Sequence, residues 1–340
     1  MAVRFSYIVL ALLVVSAAGV ADELQMKNGS RLVGTLISAD QEKVVFDTPF
    51  AGEITIQQAN IEVVHTQNEV TVLMQDGLVY RNKKIVALED ELIVFDEDQN
   101  PRAFDVLDIK MVNPEPWLLG EGYQWLGQVN TALKSERGNT DTDELDLDFE
   151  TSWRSLKDRY TVRGLWEIDR TNGIKAKNTW SLRNKYDRFS RDDPDNYYGF
   201  QVAFKYDEFA DLDLRTSLGP YIGRQFFETD YLSLHAELGI AYVDEQFNVA
   251  EDDDFWGSNW EVRLSSGIIP GTDLYVLSEG VMSFADTDEI IANTTVGLKF
   301  PLIFGFQTAA EALYQYDGGA VEGVDTTDET FRFKLGYSWK

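Results

Sequence analysis

The 340-residue chain has no cysteine and only two histidines. Disulfide stapling is therefore excluded, and a zinc site of the usual thiolate or histidine type has too few ligands to draw on. Beyond the N-terminal segment, no stretch offers the roughly 20 consecutive apolar residues that a membrane-spanning helix needs. Basic charge is also scarce. Thirty Lys and Arg stand against 58 Asp and Glu, a formal net charge of −28. Nucleic-acid binding needs a basic footprint, which this balance denies, and a polybasic hold on anionic lipid fails for the same reason. No residue pattern requires a cofactor.

What is present begins with an export signal. One positive charge at Arg4 precedes an apolar run from Tyr7 to Val15. Small residues then lead through Gly19-Val20-Ala21 to Asp22-Glu23. That layout predicts a signal peptide over residues 1–21, cleaved after Ala21.

Residues 22–112 contain no tryptophan and repeat themselves. Met26-Lys27-Asn28-Gly29 matches Met74-Gln75-Asp76-Gly77, Val44-Val45-Phe46-Asp47 matches Ile93-Val94-Phe95-Asp96, and Ile61-Glu62-Val63-Val64 matches Ile109-Lys110-Met111-Val112. Three matches in the same order imply duplication. The Asn-Gly and Asp-Gly pairs are hairpin signals, and β-prone segments follow each. Each copy therefore resembles a small SH3-like or Sm-like β-unit. Such units often bind peptides, so this region is a candidate for a periplasmic protein partner. His65, at the end of a β-prone segment, is expected at its surface. Asn113-Pro114-Glu115-Pro116 then interrupts the pattern, because proline removes backbone donors. Residues 113–121 read as a linker.

From Trp125 onward the hydrophobic period becomes two. Trp125, Gly127, Val129, Thr131 and Leu133 share one face of a first strand. Leu232, Leu234, Ala236, Leu238, Ile240 and Tyr242 do so in a seventh, and Phe331, Phe333, Leu335, Tyr337 and Trp339 in a twelfth. Twelve such segments can be drawn, each with one face free of Asp, Glu, Lys and Arg. The opposite faces carry Arg163, Glu167, Asp169, Asp213, Arg215, Glu261, Arg263, Arg332 and Lys334. Strands that face lipid on one side and a polar lumen on the other show this alternation, since a charge at the bilayer midplane costs about 2–4 kcal/mol. Aromatic residues near the strand ends suit the two interfaces. The fold expected is all-β: a duplicated small β-domain followed, over residues 122–340, by a twelve-stranded antiparallel transmembrane β-barrel.

Ser135–Glu144, Asp244–Phe255 and Asp317–Glu329 read as long loops on the outer side, with the N-terminal domain in the periplasm. Arg188–Asn196 is long as well, yet falls on the periplasmic side. Leu212 is assigned to the lipid face of the sixth strand. Phe331 to Trp339 resembles the terminal strand that barrel-assembly machinery reads, although Lys340 follows the aromatic end.

Gly127-Gln128-Val129-Asn130-Thr131-Ala132-Leu133, the turn Arg137-Gly138-Asn139-Thr140-Asp141-Thr142, and Leu218-Gly219-Pro220-Tyr221-Ile222-Gly223-Arg224-Gln225-Phe226 together resemble the salt-induced outer-membrane protein (YdiY-like) family, whose domain has no established function. The resemblance implies an outer-membrane location in a Gram-negative envelope and a role in salt response. It brings no catalytic residues with it.

Two clusters are candidates for chemistry. Ser233, His235 and Glu237 alternate along the seventh strand and share a face, as an acyl-transfer set would. They would make the protein an outer-membrane lipid hydrolase. Against this, the face points to the lumen and no nucleophile elbow is present, so the protein reads as a non-enzyme. Glu251, Asp252, Asp253 and Asp254 offer clustered oxygens to a hard cation, through which a loop would bridge to lipopolysaccharide. They lack EF-hand spacing and read better as a solvated acidic loop. Three functions are therefore carried forward: a structural or envelope-stress barrel or narrow channel, a lipid hydrolase, and a soluble periplasmic β-protein.

Overall fold

The computed structural model describes residues 21–339 apart from 41, 89–90, 96–100, 105–107, 139–140, 230, 270 and 322. Residues 1–20 of the expected signal peptide, Asp96 of the repeat, and Asn139-Thr140 of the family-like turn lie outside the described residues. The chain divides into two compact units between Glu115 and Pro116.

In the first unit, strands β1 (Asp22–Met26), β2 (Arg31–Ala39), β3 (Lys43–Thr48), β4 (Gly52–Gln57) and β5 (Ile61–His65) make up one copy. Strands β6 (Val70–Met74), β7 (Val79–Lys83), β8 (Ile85–Leu88), β9 (Glu91–Phe95), β10 (Pro101–Phe104) and β11 (Ile109–Val112) make up the other. The duplication is visible in the pairing. Met26 opposes Ile61 where β1 meets β5, and Met74 opposes Ile109 where β6 meets β11. The copies merge instead of closing separately. Val112 pairs with Ala39, joining β11 to β2 in a single eight-stranded sheet, while β8, β9 and β10 form a second sheet of three. Leu24, Leu36 and Phe46 from the first copy pack in one core with Val72, Met74 and Ile109 from the second. A unit of this size alone buries too little surface for stability, so sharing one core is the physical gain of the duplication. His65 is half-buried, paired opposite Glu23.

The second unit is a closed barrel of twelve strands. In order these are β12 (Gln124–Glu136), β13 (Thr142–Arg154), β14 (Asp158–Thr171), β15 (Ile174–Phe189), β16 (Asn196–Asp207), β17 (Leu212–Glu228), β18 (Leu232–Phe247), β19 (Asp253–Ile269), β20 (Thr272–Ser283), β21 (Ile290–Pro301), β22 (Phe306–Asp317) and β23 (Thr327–Trp339). Every neighbour is antiparallel, and β23 closes the ring on β12 from Gly127↔Trp339 to Thr131↔Leu335. Closure leaves no open edge, which is what lets strands cross hydrocarbon. The strands are 12–17 residues long, beyond the roughly 9–11 that a tilted span needs. At the seam a Cβ on Gly127 would stand 2.1 Å from the Trp339 ring. Only glycine lets that indole lie flat across β12.

The outward face is apolar and its aromatics gather at the two ends. Trp125 stacks on Trp153, Trp153 on Tyr160, and Trp125 meets Trp339 edge-on. At the other end Trp180 stacks on Tyr206, and Tyr242 packs against Trp256. Phe331 and Phe333 stay 80% and 83% exposed, a waste of apolar surface in water but the rule against lipid. A soluble sandwich is not what this sequence forms; the unit is a barrel of the outer-membrane type.

Several local expectations need correction. The strands run further than composition suggests, so the three long loops shrink to residues 137–141, 248–252 and 318–326, and the fourth to 190–195. Acidic residues there look like loop, yet their backbones keep pairing beyond the apolar band. Asp244 and Glu245 oppose Asp254 and Asp253 across β18 and β19. A register shift between Leu212 and Leu214 changes the parity at the start of β17. Leu212 is thereby buried instead of facing lipid, and Asp213, expected in the lumen, is exposed. Phe304, whose alternation with Phe306 suggests strand, instead occupies a turn with φ of 57°, and β22 begins only at Phe306.

Candidate functional site in the barrel lumen

An eight-stranded barrel is just wide enough for side chains to fill, and diameter grows with strand number. Across twelve strands only long side chains from opposite walls can meet. The inward faces supply them. Arg263 on β19 donates from both terminal nitrogens to Glu150 on β13, at 2.6 and 2.8 Å. These strands are six apart in a ring of twelve, so this fork-to-carboxylate pair spans the diameter. Arg163 on β14 reaches Glu279 on β20, again six strands away, and Arg183 on β15 reaches the same carboxylate at 2.7 Å. Bidentate guanidinium–carboxylate pairs are the strongest and most directional of such contacts.

Glu261 sits at the centre of this layer. It lies 3.3 Å from Arg163, 3.5 Å from Arg183 and 3.2 Å from Lys185. Lys185 also donates to Glu237, which accepts a further bond from Tyr197. Arg159 pairs with Asp187 at 2.6 Å, and Asp187 accepts from the Tyr221 hydroxyl. Nearer β12, Lys334 bridges Asp148 and Glu311, and Arg332 lies 2.7 Å from Glu167.

Two cavities flank the layer. One lies toward the end where β12 begins and is lined among others by Ser152, Thr161, Arg163 and Arg263. The other lies at the opposite end and is lined among others by Lys205, Leu212, Arg215, Ala320 and Val324. Arg215 there holds Glu245 and, at 2.7 Å, Asp317.

Ser233, His235 and Glu237 do share the lumen face of β18, but they do not engage one another. Ser233 accepts from the Gln225 amide at 3.2 Å. The His235 Nε2 lies 3.5 Å from Glu261. Glu237 is committed to Lys185 and Tyr197. A serine without a base and a histidine whose carboxylate is already shared by three cations do not form an acyl-transfer relay. His235, Glu237 and Glu261 bring ligand atoms within 4.8 Å of one another, the single such group among the described residues. The Lys185 ammonium sits against both carboxylates, so the chain supplies that cluster with its own cation.

Glu251, Asp252, Asp253 and Asp254 do not converge. All four are exposed, and Asp253 and Asp254 belong to β19. The Asp252 carboxylate accepts from the Phe247 amide and the Asp253 carboxylate from the Asp254 amide, so they serve their own turn. The loop is tied down by Asp211, which accepts from Val249 and Ala250. Alternation places Arg163, Glu261, Arg263 and Arg332 in the lumen from sequence alone. Which charges meet depends on closure and register, and the inward tyrosines Tyr197 and Tyr221 are masked by their outward neighbours Tyr198 and Ile222.

No curated protein matches the chain. Among solved structures it is similar to the NanC porin, at 12% identity and a TM-score of 0.40, over 63% of this chain and 99% of that one. It is similar to the KdgM porin at 9% identity and 0.34, over 64% and 100%. It is also similar to the outer membrane channel DcaP of Acinetobacter baumannii at 12% identity and 0.32, over 94% of each chain. The family described as "Protein of unknown function, DUF481" matches residues 129–339, from within β12 to the end of β23, and the chain belongs to it.

Proposed function

We propose that this protein is a structural barrel of the outer membrane, held shut by ion pairs across its lumen, that serves the envelope under salt stress by its presence more than by solute flux. The observation that carries this reading is the diametric pair between Glu150 and Arg263. A chain built to conduct freely would line its walls with charge, not tie the walls together through the centre. The N-terminal unit is placed in the periplasm, with an envelope protein as its partner. The outer rim lies against lipopolysaccharide, and the strand ending at Trp339 engages the assembly machinery. Reconstitution in a planar bilayer tests the closure. The wild-type barrel stays silent, and the double variant Glu150→Gln, Arg263→Gln conducts. Steady wild-type conductance equal to that of the variant would sink the reading.

A second reading, a narrow gated channel, is favoured by the two cavities on either side of the layer. In that case the same pairs act as the gate, and wild-type recordings show brief openings that lengthen in the double variant. Lipid hydrolysis has no such support. Unchanged lipid release after His235→Ala removes it.

A further inference from the structure

The edge strands of the N-terminal unit are not treated alike. An edge offers unpaired N–H and C=O groups to any other strand, and folded proteins blunt it with Lys, Pro, bulges or cover. Strand β7, at one end of the eight-stranded sheet, is blunted three times over. It carries Arg81 and Lys83, Asn82 sits at φ of 51°, and its pairing with β6 shifts register between Val70 and Val72. Strand β10, an edge of the smaller sheet, opens on Pro101 and Arg102. Strand β5 runs on into Thr66, which ties it to β8: the Thr66 amide donates to the Ile85 carbonyl at 2.8 Å, and its hydroxyl accepts from the Ile85 amide at 2.9 Å.

Strand β4, at the other end of the eight-stranded sheet, has none of these devices. Among the described residues it pairs with β3 alone, in an unbroken register. Its sequence, Gly52-Glu53-Ile54-Thr55-Ile56-Gln57, contains no Lys, Arg or Pro. Glu53 is the one charge between Thr48 and Ile61, in a chain with 26% charged residues. Ile54 and Ile56 turn in to pack on the shared core, while Thr55 stays exposed. An antiparallel ladder uses alternate residues on each side, so half of the backbone groups of β4 point to its open side. Phe50, in the turn that leads into β4, is 80% exposed, more than any other large hydrophobic residue described in the unit.

We propose that β4 is the docking edge for β4 of a second copy of this chain, the two strands pairing antiparallel about a two-fold axis at Thr55. The strand is self-complementary in that register. Residues directly opposite each other share a face, and a slip of one residue would turn one copy's core face outward. Centring on Thr55 sets Ile54 against Ile56 of the partner subunit, and Glu53 against Gln57 of the partner subunit, so no like charges meet. Centring on Ile54 would set Ile56 against glycine, and centring on Ile56 would set Ile54 against Gln58, where the strand has already ended. The favoured register also brings the end of the second strand toward the turn that holds Phe50, where apolar surface is otherwise left to water. A two-fold, isologous pair is the commonest form of homo-oligomer, and anchoring both copies in one bilayer raises their effective concentration. The pairing concerns the N-terminal unit alone and holds whether or not the lumen conducts.

The chain has no cysteine, so a single introduced thiol reports the pairing without background. Opposed Cα atoms lie about 4.5–5.5 Å apart, within the roughly 4.4–6.8 Å that a disulfide bridges. The full-length protein in detergent micelles, oxidised with copper phenanthroline and run on non-reducing gels, should give a covalent dimer for Thr55→Cys. Glu53→Cys and Gln57→Cys should each stay monomeric alone, because each thiol is about 13 Å along the strand from its own counterpart. Mixed together, the two variants should crosslink. Lys83→Cys, on the blunted edge, should crosslink at least tenfold more slowly than Thr55→Cys. Thr55→Lys sets like charges against each other and should weaken dimerisation, read by light scattering, at least tenfold. Unchanged amide exchange at Phe46 confirms that the unit of that variant is folded. A monomeric wild type would leave the edge to an unlike strand and overturn the pairing. Equal crosslinking at positions 53, 55 and 83 would overturn it as well, and so would a dimer that Thr55→Lys leaves intact.

Discussion

Phe46 and Phe333 lie on β-strands of one chain in inverted surroundings. Phe46 is fully buried in the shared core of the N-terminal unit, while Phe333 is 83% exposed on the barrel wall. Around Phe46 the apolar side chains point inward and the charges outward. Around Phe333 the order is reversed: Arg332 and Lys334 are buried in the lumen, and the phenylalanines face out. One rule produces both arrangements, because apolar surface goes where water is not. The difference lies in which side of the sheet is dry.

The largest expected effect comes from the water-excluded core. Phe46→Ala should cost the N-terminal unit about 3–5 kcal/mol, the range for deleting a buried phenylalanine and leaving a cavity. Hydrogen exchange of the full-length protein should show amide protection lost through both copies, because both pack on that core. Loss confined to the first copy would break the claim that they share it. Next comes the lipid face. Phe333→Arg should cost about 2–4 kcal/mol in guanidinium titration of the barrel in lipid micelles. Val33→Arg, at a comparably outward position of the N-terminal unit, should change stability by less than about 0.5 kcal/mol. Equal costs at the two positions would mean that the barrel wall does not face lipid.

A third effect concerns a buried charge of the N-terminal unit. Asp22 is 1% exposed. One carboxylate oxygen accepts from the Leu36 amide at 2.8 Å, and the other from Gln67 at 2.7 Å and Asn68 at 3.3 Å. Asp22→Asn must turn an NH₂ toward one set of donors. Hydrogen bonds to charged groups contribute about 1.5–3 kcal/mol, so the variant should lose stability of that order. Exchange at Leu36 and Gln67 should rise first. Unchanged exchange there would show that the carboxylate does not pin these segments.

Architecture was legible in the sequence where one physical penalty governs every position. Hydrocarbon rejects charge along the whole wall, so alternation around Val129, Leu234 and Leu335 exposes strand number and face without any knowledge of partners. The repeat was legible because Met26 and Ile61 recur as Met74 and Ile109 with their spacing intact. The lumen was only half legible. Parity assigns Arg263 and Glu150 to the inside, but their meeting across the diameter is a property of the closed ring. The bulge at Leu212 was illegible because a single extra residue reverses parity while leaving composition unchanged. The rim was misjudged for a different reason. Asp253 and Asp254 carry loop-like side chains on a backbone that continues its ladder, and side-chain polarity reports solvent more than hydrogen bonding.

The smallest effect probes the duplication itself. Gly29 and Gly77 close equivalent turns with φ of 81° and 85°, and a Cβ added at either meets nothing within 4 Å. Alanine at these positions therefore pays no steric cost to neighbours, only the backbone cost of the left-handed region, about 1–2 kcal/mol. Each amide donates to the carbonyl three residues earlier, Gly29 to Met26 at 2.8 Å and Gly77 to Met74 at 3.0 Å. Since geometry and surroundings agree, Gly29→Ala and Gly77→Ala should destabilise the unit equally, within a few tenths of a kcal/mol. Both turns open into the same shared core, so unequal costs by hydrogen exchange would show that the two copies have drifted apart in energy while keeping the same shape.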